Sequence, residues 1–217
     1  MFDTLPIISE KNVVIVGGGW VHEEILQQYI NNSHIIALDG GADTLVRLGL
    51  QPDCIIGDMD SMQNAHTAPI HHLSDQNSTD FDKALRNISA PSLVAFGVLG
   101  DRLDHGLATL HSLRRHKMAT KTTLIGREDA ICYVEAERKE LTLPTASRIS
   151  LWCMENTKFL ASRGLQYPLN GLTLGPSGMQ GTSNITTELD IVIEKKPQQS
   201  GYFLLIPAEN RTYLLYN

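Results

Sequence analysis

Residues 35–60 read IIALDGGADTLVRLGLQPDCIIGDMD, and the order of elements within them decides the fold. Residues 35–38 form a short apolar run with two β-branched residues. Residues 42–48 have the spacing of a helix, and residues 54–56 form a second apolar run. A strand, a helix and a strand in such quick succession make a βαβ unit, whose strands run parallel. Each strand also opens into aspartates: Asp39 after the first, Asp58 and Asp60 after the second.

The alternation extends in both directions. Upstream lie a β-branched run at 13–16 and a helix at 21–30. Downstream come strands at 70–73, 93–98 and 122–125, with helices at 79–88 and 103–116. The first of these helices places Phe81, Ala84, Leu85 and Ile88 at i, i+3, i+4 and i+7, and the second aligns Leu103, Leu107, Leu110 and Leu113 on one side. The expected fold class is α/β with a largely parallel sheet. Near Gly126 the pattern changes. Short strand-like runs follow at 131–134, 148–153, 190–194 and 202–206, and five glycines and two prolines fall between Gly164 and Gly181. We therefore expect an α/β domain over 1–126 and a smaller, antiparallel all-β domain over 127–217.

Composition narrows the function classes. The 217 residues are 42% hydrophobic and 19% charged, the balance of a folded globular protein. No apolar run approaches the roughly 20 residues that cross a bilayer, so no membrane is expected. The opening MFDTLPIISEKN does not read as a secretory signal. The three cysteines, Cys54, Cys132 and Cys153, have neither disulfide-framework nor zinc spacing, which favours a reducing, cytoplasmic setting. A net charge of −6 disfavours nucleic acid as a partner. That charge is concentrated. From Asp39 to Asp104 there are ten aspartates, no glutamate and four basic residues (Arg47, Lys83, Arg86, Arg102). Short carboxylates used this selectively belong at loops and element ends.

Four stretches carry chemistry. Asp39-Gly40-Gly41-Ala42-Asp43 follows a strand at the end where open α/β sheets bind ligands, and its glycines admit a close ligand; capping of the next helix also explains the acids. Gly57-Asp58-Met59-Asp60-Ser61 places two carboxylates at i and i+2, on one side if the chain stays extended. They repel unless a cation lies between them, and Mg²⁺ is held by one or two carboxylates completed by phosphates and water. An acidic turn capped by Ser61 is the plain alternative. In Asp75 to Lys83, Ser78 or Thr79 can cap a helix whose first turn suits Asp80 and Asp82. Capping leaves Asp75 and the cation Lys83 unexplained, and phosphate oxygens would explain Lys83. In Gly100-Asp101-Arg102-Leu103-Asp104-His105, Arg102 suits a phosphate clamp. Asp104 and His105 could hold metal, orient Arg102 or act as a base, and Asp101 could cap the helix.

Gly17 and Gly19 fit part of a dinucleotide fingerprint, with His22 where a third glycine belongs; a tight turn needing glycine is the plainer reading. Taken together, aspartate-bearing loops at one rim of a parallel sheet imply divalent cations, a polyphosphate ligand and phosphoryl-type transfer. No P-loop or kinase catalytic-loop motif is present.

At these residues the chain resembles the thiamine pyrophosphokinase family. The matching motifs are Asp39-Gly40-Gly41-Ala42, Gly57 through Ser61, Asp75 through Asp80 with Lys83, and Gly100-x-Arg102-x-Asp104-His105. Weaker matches follow at 164–169 and 181–184. The resemblance implies a homodimer whose Rossmann-like α/β domain binds ATP and whose β-sandwich domain binds thiamine. It implies Mg²⁺ as cofactor and transfer of the ATP diphosphoryl group to the thiamine hydroxyl, releasing AMP. By motif match, Asp58, Asp60, Asp80 and Asp75 are metal candidates. Asp39, Gly40, Lys83, Arg102 and His105 are candidates for the ATP phosphates. Asp58, Asp60, Asp80, Arg102 and Asp104 are candidates for catalysis, and Thr182, Ser183 and Asn184 for thiamine. Where the family often has Gly-Gly-Arg, this chain has Asp101 before Arg102, read here as a helix cap. No motif identifies the aromatic that stacks on thiamine; Trp152 is a candidate, with a core role the plainer reading. A nicotinamide-dependent oxidoreductase and a non-catalytic nucleotide or thiamine sensor are the competing functions.

Overall fold

A computed structural model describes residues 4–100, 102–116, 118 and 121–215. The chain separates into two compact units, residues 1–127 and 128–217. In the first, the elements are β1 (Ile7–Ile8), β2 (Asn12–Val16), α1 (Glu23–Ile30), β3 (Ser33–Leu38), α2 (Gly41–Arg47), β4 (Cys54–Gly57), β5 (Ile70–His72), α3 (Asp80–Asn87), β6 (Ile88–Ser89), β7 (Leu93–Phe96), α4 (Leu103–Arg115) and β8 (Thr122–Ile125). Strands β8, β7, β2, β3, β4 and β5 lie in that order and pair in parallel throughout. Strands β2, β4, β7 and β8 are buried or nearly so along their length, as continuous apolar runs in a covered parallel sheet should be.

The order of strands positions the site. From β2 the chain moves to β3, β4 and β5 on one side, then returns to β7 on the other. The reversal falls between β2 and β7, where ligands bind in open α/β sheets. The register brings the strand ends level: Val16 pairs with Ala37 and with Phe96, and Leu38 pairs with Ile56. The loops after β2, β3, β4 and β7 therefore leave the sheet side by side.

The helix expected over 79–88 forms as Asp80–Asn87 and buries Phe81, Ala84 and Leu85. Thr79 is its cap, its side chain accepting a hydrogen bond from the Asp82 N–H. The helix expected over 103–116 forms as Leu103–Arg115, but only the end of its leucine stripe, at Leu113, is buried. Leu103 is 77% exposed and Leu107 48%, while Thr109, Ser112 and Leu113 are buried. Thr109 can be buried because its hydroxyl donates to the Val98 carbonyl at 2.8 Å.

The second unit contains β9 (Asp129–Val134), β10 (Arg138–Thr142), β11 (Arg148–Trp152), β12 (Thr157–Arg163), β13 (Thr173–Leu174), β14 (Gly181–Ile185), β15 (Asp190–Lys195), β16 (Tyr202–Pro207) and a last short helix α5 (Thr212–Leu215). Its strands pair antiparallel, in the orders β14-β11-β16-β9 and β10-β15-β12-β13. Inward residues alternate along β12 and β15, and Phe159, Ile191, Ile193, Tyr202 and Phe203 are almost wholly buried. No helix among the described residues is long and apolar enough to cross a membrane.

Candidate active site

Glycine builds the floor of the site. A Cβ on Gly17 would meet the Gly97 carbonyl oxygen at 2.6 Å, and one on Gly41 would meet the Val16 carbonyl oxygen at 2.0 Å. The loops after β2 and β7 are sewn together by N–H donation from Gly17 to Phe96 and from Gly19 to Gly97. Backbone packing thus accounts for Gly17 and Gly19 without a dinucleotide.

Above that floor a cleft of about 1140 Å³ opens. Its walls include Asp39, Asp58, Asp60, Asp80, Lys83 and Arg102. Asp39 is 4% exposed, in a left-handed backbone conformation (φ 44°). Its Oδ2 accepts the Ser61 N–H at 3.1 Å, while its Oδ1 is buried without a hydrogen-bond partner among the described residues. Burial pushes its carboxyl above the ordinary value, with the Ser61 N–H pulling the other way. Asp39 does not cap α2; that place is taken by Gly40, which makes no side-chain bond. Asp43 likewise holds the β4–β5 loop, accepting from the Gln63 N–H at 2.7 Å and from Asn64 Nδ2 at 2.5 Å.

The loop after β4 is not extended: Met59 has φ 66°. The turn nonetheless keeps Asp58 and Asp60 together, and Asp39, Asp58 and Asp60 offer oxygens all within 4.8 Å of one another. Ser61 caps no helix. Its hydroxyl donates to Asp60 Oδ1 at 2.8 Å and holds that carboxyl below the ordinary range. Gly57 lies between the acids, since a Cβ there would stand 3.0 Å from Asp39 Cβ and 3.2 Å from Asp80 Cγ. Three close carboxylates, one with a buried open oxygen, suit a hard divalent cation. Lys83, 3% exposed, reaches the same group, with Nζ 2.8 Å from Asp80 Oδ1 and 3.7 Å from Asp58 Oδ2.

Asp75 stands apart from this group. Its oxygens accept from the Asn77 N–H at 2.9 Å and Ser78 Oγ at 2.6 Å, and Arg86 lies 3.7 Å away. It shapes the loop from which Gln76 donates to Asp58 Oδ2 at 3.0 Å. Gln76 was missed in the sequence because an amide between two acidic motifs carries no signal of its own. Arg102 is paired with Asp104 through Nε–Oδ1 at 3.2 Å and Nη2–Oδ2 at 2.6 Å, so Asp104 orients the guanidinium. His105 lines the cleft. Asp101 lies outside the described residues.

In the second unit, Thr182 and Ser183 are exposed and Asn184 is 3% exposed. Ser183 (φ 58°) sits at a register shift between β11 and β14, its N–H donating to Ser150 Oγ at 2.9 Å. Asn184 spends its side chain on the backbone of Tyr167: Oδ1 accepts the Tyr167 N–H at 3.0 Å and Nδ2 donates to the Tyr167 carbonyl at 2.7 Å. The Tyr167 ring itself is 59% exposed. Trp152 instead packs against Phe203, with ring centroids 6.0 Å apart. All three cysteines are free, and burial pushes their thiols up, to about 12 for Cys54 and about 11 for Cys132 and Cys153, so none is a ready nucleophile.

Fold and site together define an α/β protein whose carboxylate-rich, cation-ready cleft lies at the carboxyl rim of its parallel sheet. Residues 26–125 match the family model described as thiamin pyrophosphokinase, catalytic domain. Thiamine pyrophosphokinase 1 of Arabidopsis thaliana is 29% identical over 173 residues, covering 69% of this chain and 64% of that protein. The chain therefore aligns with slightly less than two thirds of that relative's length. Thiamin pyrophosphokinase 1 of Caenorhabditis elegans is 24% identical, covering 83% and 81%. Among solved structures, thiamine pyrophosphokinase from Bacillus subtilis shares the fold with a TM-score of 0.75 at 20% identity, covering 91% of this chain and 98% of that one. Over residues 26–125 the chain is thus similar to the catalytic domain of thiamine pyrophosphokinases.

Proposed function

We propose that the protein transfers the diphosphoryl group of ATP to the hydroxyl of thiamine, yielding thiamine diphosphate and AMP, as a Mg²⁺-dependent homodimer in the cytoplasm. The observation that carries this reading is the convergence of Asp39, Asp58 and Asp60 beside a buried lysine in one cleft. The similarity to thiamine pyrophosphokinases supplies the substrates. Free, unpaired cysteines are in keeping with a reducing compartment.

In this reading the first unit is the ATP domain and the second, a sandwich of antiparallel sheets, is the thiamine domain. Asp39, Asp58 and Asp60 hold the magnesium ion, with Asp80 close by. A magnesium ion held by these carboxylates would supply Lewis-acid neutralisation of phosphate charge. Lys83 is fixed and buried, so its charge is already in place when phosphates arrive and no reorganisation is needed during the reaction. Arg102, held in plane by Asp104, is presented as a fork for phosphate oxygens. Gly40 and the glycines after β2 leave the backbone open to the nucleotide. His105 contributes a further polar group on that wall.

In this reading the exposed Thr182 and Ser183 meet the thiamine pyrimidine. Asn184 acts one step back, by clamping the backbone of Tyr167, whose exposed ring is the surface for an aromatic substrate. Incubation with ATP, Mg²⁺ and thiamine, followed by chromatography of the nucleotides, tests the reading. AMP and thiamine diphosphate should appear in equal amounts. ADP would mean simple phosphorylation, and unchanged ATP with bound thiamine would mean a sensor.

A further inference from the structure

Lys83 has neighbours that bear on how many cations the site takes. Asp80 Oδ1 accepts from its ammonium at 2.8 Å, and Asp58 Oδ2 lies 3.7 Å from the same nitrogen. Asp58 therefore faces two ways, towards Asp39 and Asp60 on one side and towards Lys83 and Asp80 on the other. A lysine early in a helix is disfavoured by the positive end of the helix dipole, and a buried one carries a desolvation cost as well. Lys83 stands in the first turns of α3 and is 3% exposed, so the two carboxylates must offset both costs. Phosphoryl-transfer sites with two metals set the ions about 3.5–4 Å apart on shared carboxylates. Asp58 is placed to be such a shared ligand, but its Oδ2 already accepts from Gln76 Nε2 at 3.0 Å and faces the Lys83 ammonium at 3.7 Å.

Resting on the metal reading above, we infer that Lys83 is a built-in counter-cation that stands where a second divalent ion would bind between Asp58 and Asp80. The chain then takes a single ion, on Asp39, Asp58 and Asp60. An ammonium and a divalent ion cannot share the position, because two cations within a few ångströms repel strongly in a poorly solvated site. The ammonium is also tethered through its side chain, so it cannot diffuse away to make room. On the other side of Asp58 the situation is reversed: among the described residues, Asp39 Oδ1 is buried with no hydrogen-bond partner.

Mn²⁺ binding to the full chain without nucleotide, followed by the paramagnetic resonance of free Mn²⁺ and by equilibrium dialysis, tests this. The wild type should bind one Mn²⁺ per chain. Lys83→Met should bind two, and Lys83→Arg, which keeps the positive charge, one. The double variant Lys83→Met with Asp80→Asn should return to one; it also relieves the exposed repulsion, which guards against misfolding of the single variant. Asp39→Asn should weaken the wild-type ion at least tenfold. Two ions in the wild type, or one in a folded Lys83→Met protein, would overturn the inference while leaving the metal site intact. No Mn²⁺ bound by the wild type would overturn the metal reading itself.

Discussion

Asp39 combines a bonded oxygen with an open one. Its Oδ2 accepts from the Ser61 N–H, and its Oδ1 is enclosed without a hydrogen-bond partner among the described residues. Burial raises its carboxyl above the ordinary 3.8, although the Ser61 bond opposes the shift. An acid raised on folding holds its proton more firmly in the folded state. Its contribution to stability is therefore full below pH 3.8 and is lost as pH rises through the folded value. At neutral pH, without cations, the charged Asp39 is a burden. Asp39→Asn keeps the bond to Ser61 and places an amide donor where Asp58 and Asp60 can accept. We expect its Tm at pH 7 to exceed the wild type's, by roughly 2–4 °C for each kcal/mol recovered. Added Mg²⁺ should raise the wild type's Tm more than the variant's. Differential scanning calorimetry checks both, and a lower Tm for the cation-free variant would refute the account of a strained carboxylate.

Helix α3 carries Asp80 and Lys83 towards the cleft and Asp82 away from it. Asp82, 5% exposed, is 2.8 Å from His116 Nε2 at the end of α4, and its other oxygen takes Arg86. Burial alone would raise its carboxyl, but the bonds from His116 and Arg86 outweigh burial and hold it below the ordinary value. A lowered acid stabilises the fold above its unfolded value, and that contribution is lost as pH falls below 3.8 through the folded value. Asp82→Asn should therefore cost about 1–3 kcal/mol in urea unfolding at pH 7. The difference from wild type should shrink below pH 3.8, and an equal loss at both ends of the range would argue against the ionic tie. On β14, Asn184→Ala removes the two bonds that hold Tyr167. We expect it to destabilise by about 1–3 kcal/mol and to raise the KM for thiamine more than that for ATP. Equal changes in both would separate Asn184 from the thiamine site.

At the scale of the whole molecule, each unit has its own core and its own candidate ligand surface. Hydrogen exchange followed by mass spectrometry should show this division. ATP with Mg²⁺ should slow exchange in the loops at 39–43, 57–63, 75–80 and 97–100. Thiamine should slow it at 164–169 and 181–185. Protection of the second unit by ATP alone would contradict the assignment of substrates to units.

Much of the first unit was legible in the sequence, because buried parallel strands are continuous apolar runs and the βαβ alternation leaves few alternative topologies. Val13 to Val16, Ile35 to Leu38 and Thr122 to Ile125 were readable on that ground. The leucine stripe of α4 misled in its first half, since periodicity marks an apolar stripe but does not say what covers it: Leu103 and Leu107 remain exposed while Leu113 is buried. Among the site residues, aspartates following strands were visible because strand ends in a parallel sheet converge at one rim. Local order alone thus determined a parallel α/β unit with acidic loops at its rim. Only the tertiary structure decided which acids meet, because that depends on strand register and on the turn at Met59. It drew Asp39, Asp58 and Asp60 together and sent Asp75 to brace a loop. It turned Asn184 inward onto Tyr167, because hydrogen bonds between residues distant in the chain leave no periodic trace in the sequence.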